Sequence, residues 1–319
     1  MSKVEIPIFF SIDDNYIPFL AVALRSLIDN ASKAYDYKIE VLNSGLKPEN
    51  MEAIKSFETE NVKVEFADVN EKIKEISSDL SLRLRDYYSN SIYYRIFIPS
   101  LFPHYKKALY LDADITIIDD ISKLYFEDVG DNLLGVITDD VVFGDELLEK
   151  YAKDALGIEK GQYFNSGILV MNLEKLREEK IEDKFVHLLS KYNFDTIAPD
   201  QDYLNVLCKG KVKYLSNGWD RMPCARAELD DSELKLIHYN MFEKPWHYSN
   251  VKYEEHFWKY AEKTPYYDEI ATMKASYTPE QMNHDKVAGD AMMARAEEII
   301  NADVTFKNTV HPNYFENFN

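Results

Sequence analysis

The feature that most constrains this chain is a rhythm. Apolar runs of strand length alternate with stretches of helical spacing. "VEIPIFFSI" (4–12) reads as a buried strand and "YIPFLAVALRSLIDN" (16–30) as a helix. "YKIEVLN" (37–43) is a second strand, "KPENMEAIKSFE" (47–58) a helix opened near Pro48, and "VKVEFADV" (62–69) a third strand. Strand–helix–strand at this pace argues for βαβ units. The expected fold is therefore α/β, with a mainly parallel central sheet flanked by helices.

The pattern continues along the chain. "SNSIYYRIFIPSLFP" (89–103) reads as a helix closed by Pro99 and Pro103, and "KALYLDAD" (107–114) as a strand. "NLLGVITDD" (132–140) and "YFNSGILVMN" (163–172) are strands around a helix over "VFGDELLEKYAKDAL" (142–156). "LEKLREEKIEDKFVHLLSKY" (173–192) reads as one long amphipathic helix and "PDQDYLNVLC" (199–208) as a short one. "KVKYLS" (211–216) and "LKLIHYN" (234–240) are late strands. The 319 residues divide into a main domain over 1–265 and a small helical extension over 266–319. In the extension, Met292, Met293, Ala296, Ile299 and Ile300 share one helical face, which predicts docking on the body.

Composition removes several function classes. A formal net charge of −19 disfavours nucleic acid or an anionic membrane surface as partner. A phosphate-bearing ligand would then need a metal ion or a few local cations. No apolar window reaches bilayer length, so stable membrane insertion is not expected. The two cysteines, Cys208 and Cys224, imply no disulfide framework and fit a cytoplasmic protein.

The chemistry concentrates where "ALYL" ends in Asp112-Ala113-Asp114. Ligands of α/β sheets gather at carboxyl ends of strands. Residues i and i+2 of an extended chain point the same way, so both carboxylates can converge on one divalent cation such as Mg²⁺ or Mn²⁺. Asp-x-Asp alone is weak, because a capped loop has the same pattern and "TDD" (138–140) and "DQD" (200–202) are close cousins. "IHYNMFEKPW" strengthens the metal reading. His238 offers an imidazole ligand, which tilts the ion toward Mn²⁺, and Lys244 a cation for phosphate oxygens.

Taken together, "SIDDNY", "YYR", "LYLDAD", "FNSGILVMNL", "DQDYLN" and "HY…KPW" resemble, in order, the family-8 retaining glycosyltransferases. That family includes the bacterial lipopolysaccharide galactosyl- and glucosyltransferases and, more distantly, glycogenin. The resemblance covers roughly residues 4 to 250. It implies a GT-A fold, a UDP-sugar donor, Mn²⁺ with Mg²⁺ as the alternative ion, a carbohydrate or glycolipid acceptor, and retention of the α configuration. Residue by residue it implies that Asp112, Asp114 and His238 hold the metal. Asp13 and Asn15 would hold the uracil and ribose, and Arg95, Asp112, Ala113 and Lys244 would contact the rest of the donor. Asn165, Asp200 and Gln201 would face the donor sugar. Each has a plainer reading too. Asp14 or Asn15 would cap the helix starting near Tyr16, and Asp200 would favour the dipole of the helix after Pro199. One position departs from the family pattern: Met241 stands where a glycine normally approaches the diphosphate.

The resemblance implies a mechanism. Gln201, at the position beneath the sugar, is a carboxamide and a poor nucleophile, which favours same-face transfer over a covalent sugar intermediate. Three rival readings are a haloacid-dehalogenase-like phosphatase with Asp112 as nucleophile and Asp114 as acid, a non-catalytic sugar-nucleotide binder, and self-glycosylation on tyrosine.

Overall fold

The computed structural model describes residues 3–70, 91–224, 229–316 and 318. Ser89 and Asn90, which open the helix expected over 89–103, lie outside the described residues.

Nine strands are described: β1 (Glu5–Ser11), β2 (Asp36–Asn43), β3 (Val62–Asp68), β4 (Lys107–Leu111), β5 (Ile115–Ile117), β6 (Leu134–Thr138), β7 (Phe164–Asn172), β8 (Val212–Tyr214) and β9 (Leu236–His238). Seven form one sheet in the order β3-β2-β1-β4-β7-β6-β8, and β5 pairs with β9 in a separate ribbon. β3, β2, β1 and β4 run parallel, and β7 is antiparallel to both of its neighbours. The helices that matter below are α1 (Ile17–Asn30), α2 (Pro48–Lys55), α3 (Tyr94–Leu101), α4 (Glu146–Tyr151), α5 (Ile181–Tyr192), α6 (Pro199–Leu207), α7 (Glu254–Ala261) and α8 (Pro279–Ile300).

The apolar runs are continuous because both faces of the sheet are covered. Phe9 belongs to one core with Tyr110 and Phe185, whereas its neighbour Phe10 belongs to another with Ile39 and Leu109. Alternation along a strand sends successive side chains to opposite faces, so a doubly covered strand must be apolar at every position. The same burial fixes register, since a one-residue slip would swap the two cores.

Three helix expectations need correction. α3 runs through Pro99 to Leu101, not up to it. Pro99 costs the bond to the Arg95 carbonyl, which is tolerable with the helix ending two residues later. The stretch 142–156 is broken at Gly144, and α4 restarts where the Asp145 side chain accepts from the Leu147 and Leu148 amides at 3.0 and 3.2 Å. The stretch 173–192 is likewise two helices, Leu173–Glu178 and α5, parted at Lys180 with φ 51°.

In the C-terminal segment, a capping box of Thr278 and Gln281 starts α8. Its Ala296 and Ile299 are buried in the core that also holds Leu148 and Tyr151 of α4. Among the described residues no helix is long and apolar enough to cross a membrane.

Candidate active site

Two strand pairings build the site. β1 and β4 are parallel neighbours, with Phe9 opposite Tyr110, so the turn after β1 and Asp112 after β4 emerge at the same end of the sheet. The β5–β9 ribbon places His238 opposite Ile115, and the Tyr239 amide donates to the Asp114 carbonyl at 2.9 Å. An imidazole 124 positions away in sequence, by subtraction of the two residue numbers, is thereby set beside the Asp-x-Asp turn.

The three side chains converge. His238 Nε2 lies 3.3 Å from Asp114 Oδ1 and 3.8 Å from Asp112 Oδ2. One ligand atom from each lies within 4.8 Å of the others, and this is the cluster of its kind among the described residues. Gly167 forms the floor. A Cβ there would sit 2.5 Å from both Asp112 Oδ2 and His238 Cε1, so a side chain would fit only by pushing the ligands apart. Two carboxylates and an imidazole, with His238 oriented through its other nitrogen by Asp220 at 2.9 Å, are a donor set suited to a divalent ion of the Mn²⁺ type.

Charges surround the cluster. Burial alone would lower the His238 pKa, but Asp220 and Asp114 outweigh it and raise it to about 10. Burial would push the Asp114 carboxyl up, yet Lys244 and His238 hold it below its ordinary value. Lys244 donates to Asp114 and to the Tyr239 carbonyl. Arg95 is 6% exposed and spans the site. Its guanidinium lies 3.0 Å from Asp112, 3.1 Å from Asp200 and 2.7 Å from the Ser166 carbonyl, and stacks 4.4 Å over the Tyr110 ring.

Beside this lies a lattice of amides. Gln201 Oε1 accepts from the Ser166 amide at 2.8 Å, and its Nε2 donates to Asp139 at 3.0 Å and to the Tyr163 hydroxyl at 3.1 Å. Asn165 Nδ2 also donates to Asp139, at 3.1 Å, while its Oδ1 accepts from Gly167 N at 2.8 Å. Asp200 accepts from Ser166 Oγ at 2.9 Å, and burial raises its carboxyl pKa, partly opposed by Arg95. Asp202 is a support: it accepts from Tyr151, Tyr163 and the Ile197 and Ala198 amides.

An open cleft of about 220 Å³ runs from this centre to the β1 turn. Asp13, Tyr16, Arg95, Tyr110, Asp112, Ala113 and Asp114 line it. Asp13, rather than Asp14 or Asn15, is the cap here: it accepts from the Asn15 amide at 2.9 Å and starts a 3₁₀ turn, Asp14–Tyr16, ahead of α1. Asp14 instead turns outward to the Lys47 amide and Asn50. Asn15 is exposed beside Asp13.

The sequence reading missed Asp139, Asp220 and Tyr16. "TDD" had drawn attention only as a cousin of Asp-x-Asp, whereas Asp139 acts by gathering Gln201 and Asn165. Tyr16 faces the carboxylates of Asp114 and Asp112, which raise its pKa. Asp220 carries no local motif at all.

The model of the family described as glycosyl transferase family 8 matches residues 7–250. A Haemophilus influenzae protein, provisionally described as a glycosyltransferase, is 33% identical over 250 residues, which covers 75% of this chain and 72% of that protein. The lipopolysaccharide 1,2-glucosyltransferase of Escherichia coli K12 is 27% identical over 264 residues, covering 76% and 75%. Among solved structures, the galactosyltransferase LgtC in complex with donor and acceptor sugar analogs aligns with a TM-score of 0.64 and 25% identity, over 88% of this chain and 100% of that one. The bifunctional glycosyltransferase WbbM gives 0.70 at 24% identity, a likeness of fold, and this chain spans about half of it, 52%.

Proposed function

Since the chain belongs to glycosyl transferase family 8, with the GT-A fold of its structural neighbours, we propose that it moves glucose or galactose from a UDP-sugar to a hydroxyl of a carbohydrate or glycolipid acceptor, with Mn²⁺ (or Mg²⁺) and retention of the α configuration. The observation that carries this reading is the meeting of Asp112, Asp114 and His238 at the mouth of a sheet, beside Arg95 and Lys244. Two of the similar proteins, a glucosyltransferase and a galactosyltransferase, support a hexose. The phosphatase and the non-catalytic binder find no support among them. We assign catalysis to residues 1–265 and treat 266–319 as an extension packed on that body.

In this reading Asp13, which lines the cleft, and its neighbour Asn15 take the uracil and ribose, and the diphosphate lies between Ala113 and Lys244. A divalent ion held by Asp112, Asp114 and His238 supplies Lewis-acid compensation for the charge of the departing diphosphate. Arg95 adds a fixed cation whose orientation is set in advance by Ser166, Asp112 and Asp200. Asn165, Asp200 and Gln201 then form the floor under the sugar. Gln201 is neutral and engaged at both ends of its amide, so it positions and does not attack. The bond from the anomeric carbon to UDP breaks, the bond to the acceptor oxygen forms on the same face, and a UDP phosphate oxygen takes the acceptor proton. A sugar ester trapped on Asp200 or Asp202 by mass spectrometry would contradict that step.

The test is UDP release by the purified chain across a panel of UDP-sugars, with Mn²⁺ or with chelator and without added acceptor. Metal-dependent UDP from one hexose donor is the expected result. Absence of release together with absence of donor binding by calorimetry contradicts the reading.

A further inference from the structure

The imidazole of the metal triad is held from behind by a carboxylate outside the triad. Asp220 is 1% exposed, and its Oδ1 lies 2.9 Å from His238 Nδ1. Its other oxygen, Oδ2, has no hydrogen-bond partner among the described residues. A buried carboxylate with one unpartnered oxygen is costly, so packing alone does not account for it.

The backbone around it is built for placement. The 3₁₀ turn Asn217–Trp219 delivers Asp220, and Arg221 then pairs with β9: its amide donates to the Leu236 carbonyl and its carbonyl accepts from the His238 amide, each at 2.9 Å. Gly218 makes the approach possible. A Cβ there would meet the Glu233 carbonyl oxygen at 1.9 Å, and the Gly218 carbonyl accepts from Lys235 N at 2.9 Å. Gly218 to Arg221 are thus held against residues 233–238, with the Asp220 carboxylate against His238 Nδ1.

We propose that Asp220 is a positioning residue for the metal site: it holds the Nδ1–H of His238, so that when an incoming ion displaces the Nε2 proton the lone pair left behind faces Asp112 and Asp114, and it makes that nitrogen a better ligand. The inference rests on the reading of Asp112, Asp114 and His238 as ligands. It extends that reading to a selectivity device. An oriented imidazole matters most for an ion that accepts nitrogen ligands, so Asp220 favours Mn²⁺ over the oxygen-seeking Mg²⁺.

The test uses the full chain, with Mn²⁺ and Mg²⁺ each titrated by calorimetry into the wild type, D220N and D220A. Pulsed electron paramagnetic resonance of bound Mn²⁺ reads the nitrogen coupling. In D220N the amide oxygen can still accept from Nδ1–H, so it should retain part of the affinity and keep the variant folded. Mn²⁺ affinity should fall about 10- to 100-fold in D220A and less in D220N, with Mg²⁺ affinity falling less than Mn²⁺ affinity and the nitrogen coupling weakened. Folded D220A or D220N with wild-type Mn²⁺ affinity and unchanged nitrogen coupling overturns the role of Asp220 alone. A wild type that binds neither ion overturns the metal site itself.

Discussion

Two halves of one cleft are built on opposite principles. The Asp112–Asp114–His238 half is dense in charge and packed against further ions, Lys244, Arg95 and Asp220. Under ordinary electrostatics such a cluster is held together only by alternating sign, and its geometry responds to any added ion. The Asn165–Gln201–Asp139 half is a lattice of directed hydrogen bonds in which the Gln201 and Asn165 amides are engaged at both ends. A satisfied lattice is rigid and indifferent to ionic surroundings. The difference separates tasks: one half balances the charge of a leaving diphosphate, the other fixes where a sugar lies.

If so, each half can be broken separately. The largest effect should come from Asp114→Asn, which removes a ligand and the partner of Lys244. Metal-dependent UDP release should fall about 1000-fold, with the circular-dichroism spectrum unchanged. Gly167→Ala comes next. Its added Cβ meets Asp112 Oδ2 and His238 Cε1 at 2.5 Å and Asn165 Oδ1 at 2.9 Å, so the two ligands must part and the other half is also pressed at Asn165. Mn²⁺ affinity should drop about 10- to 100-fold by calorimetry.

Breaking the other half should leave metal binding alone. Asp139→Asn retains an oxygen for the Val141 and Val142 amides but turns a donor toward the Gln201 and Asn165 donors. Turnover should fall by about 10- to 100-fold, the scale of a misplaced substrate, at unchanged Mn²⁺ affinity. A loss of Mn²⁺ binding in this variant would dissolve the distinction between the halves. The smallest effect concerns Met241, which is 40% exposed with φ 59°, left-handed backbone that glycine adopts freely. Met241→Gly exchanges relief of that strain for added unfolded-state entropy, so stability should change by at most about 1 kcal/mol in thermal denaturation. UDP affinity should rise, because the approach to the diphosphate widens.

What the sequence revealed, and what it hid, follows the same division. Asp112, Asp114 and His238 could be singled out as strand-end residues, whereas Arg95 and Gln201 came only from the family resemblance of "YYR" and "DQDYLN"; the fold brings all five to one cleft region. The parallel strands were legible because double burial writes itself as unbroken apolar residues. Asp220 and Asp139 were not, since their roles depend on which strand a turn lies against, and register over such distances leaves no local trace. The helix breaks at Gly144 and Lys180 were hidden by amphipathic spacing that runs through them, and only the Asp145 cap hinted at the first. Pro99 misled in the opposite direction, because a proline near a helix end need not end it.

The central claim is that the charged half binds a diphosphate through a divalent ion held by Asp112, Asp114 and His238. Calorimetric titration of UDP into the full chain, once with Mn²⁺ and once with chelator, tests it most directly. The account predicts binding with Mn²⁺ that is lost or at least tenfold weaker with chelator, in line with a roughly 1.4 kcal/mol or greater share from the ion. Equal UDP affinity in both conditions would contradict it.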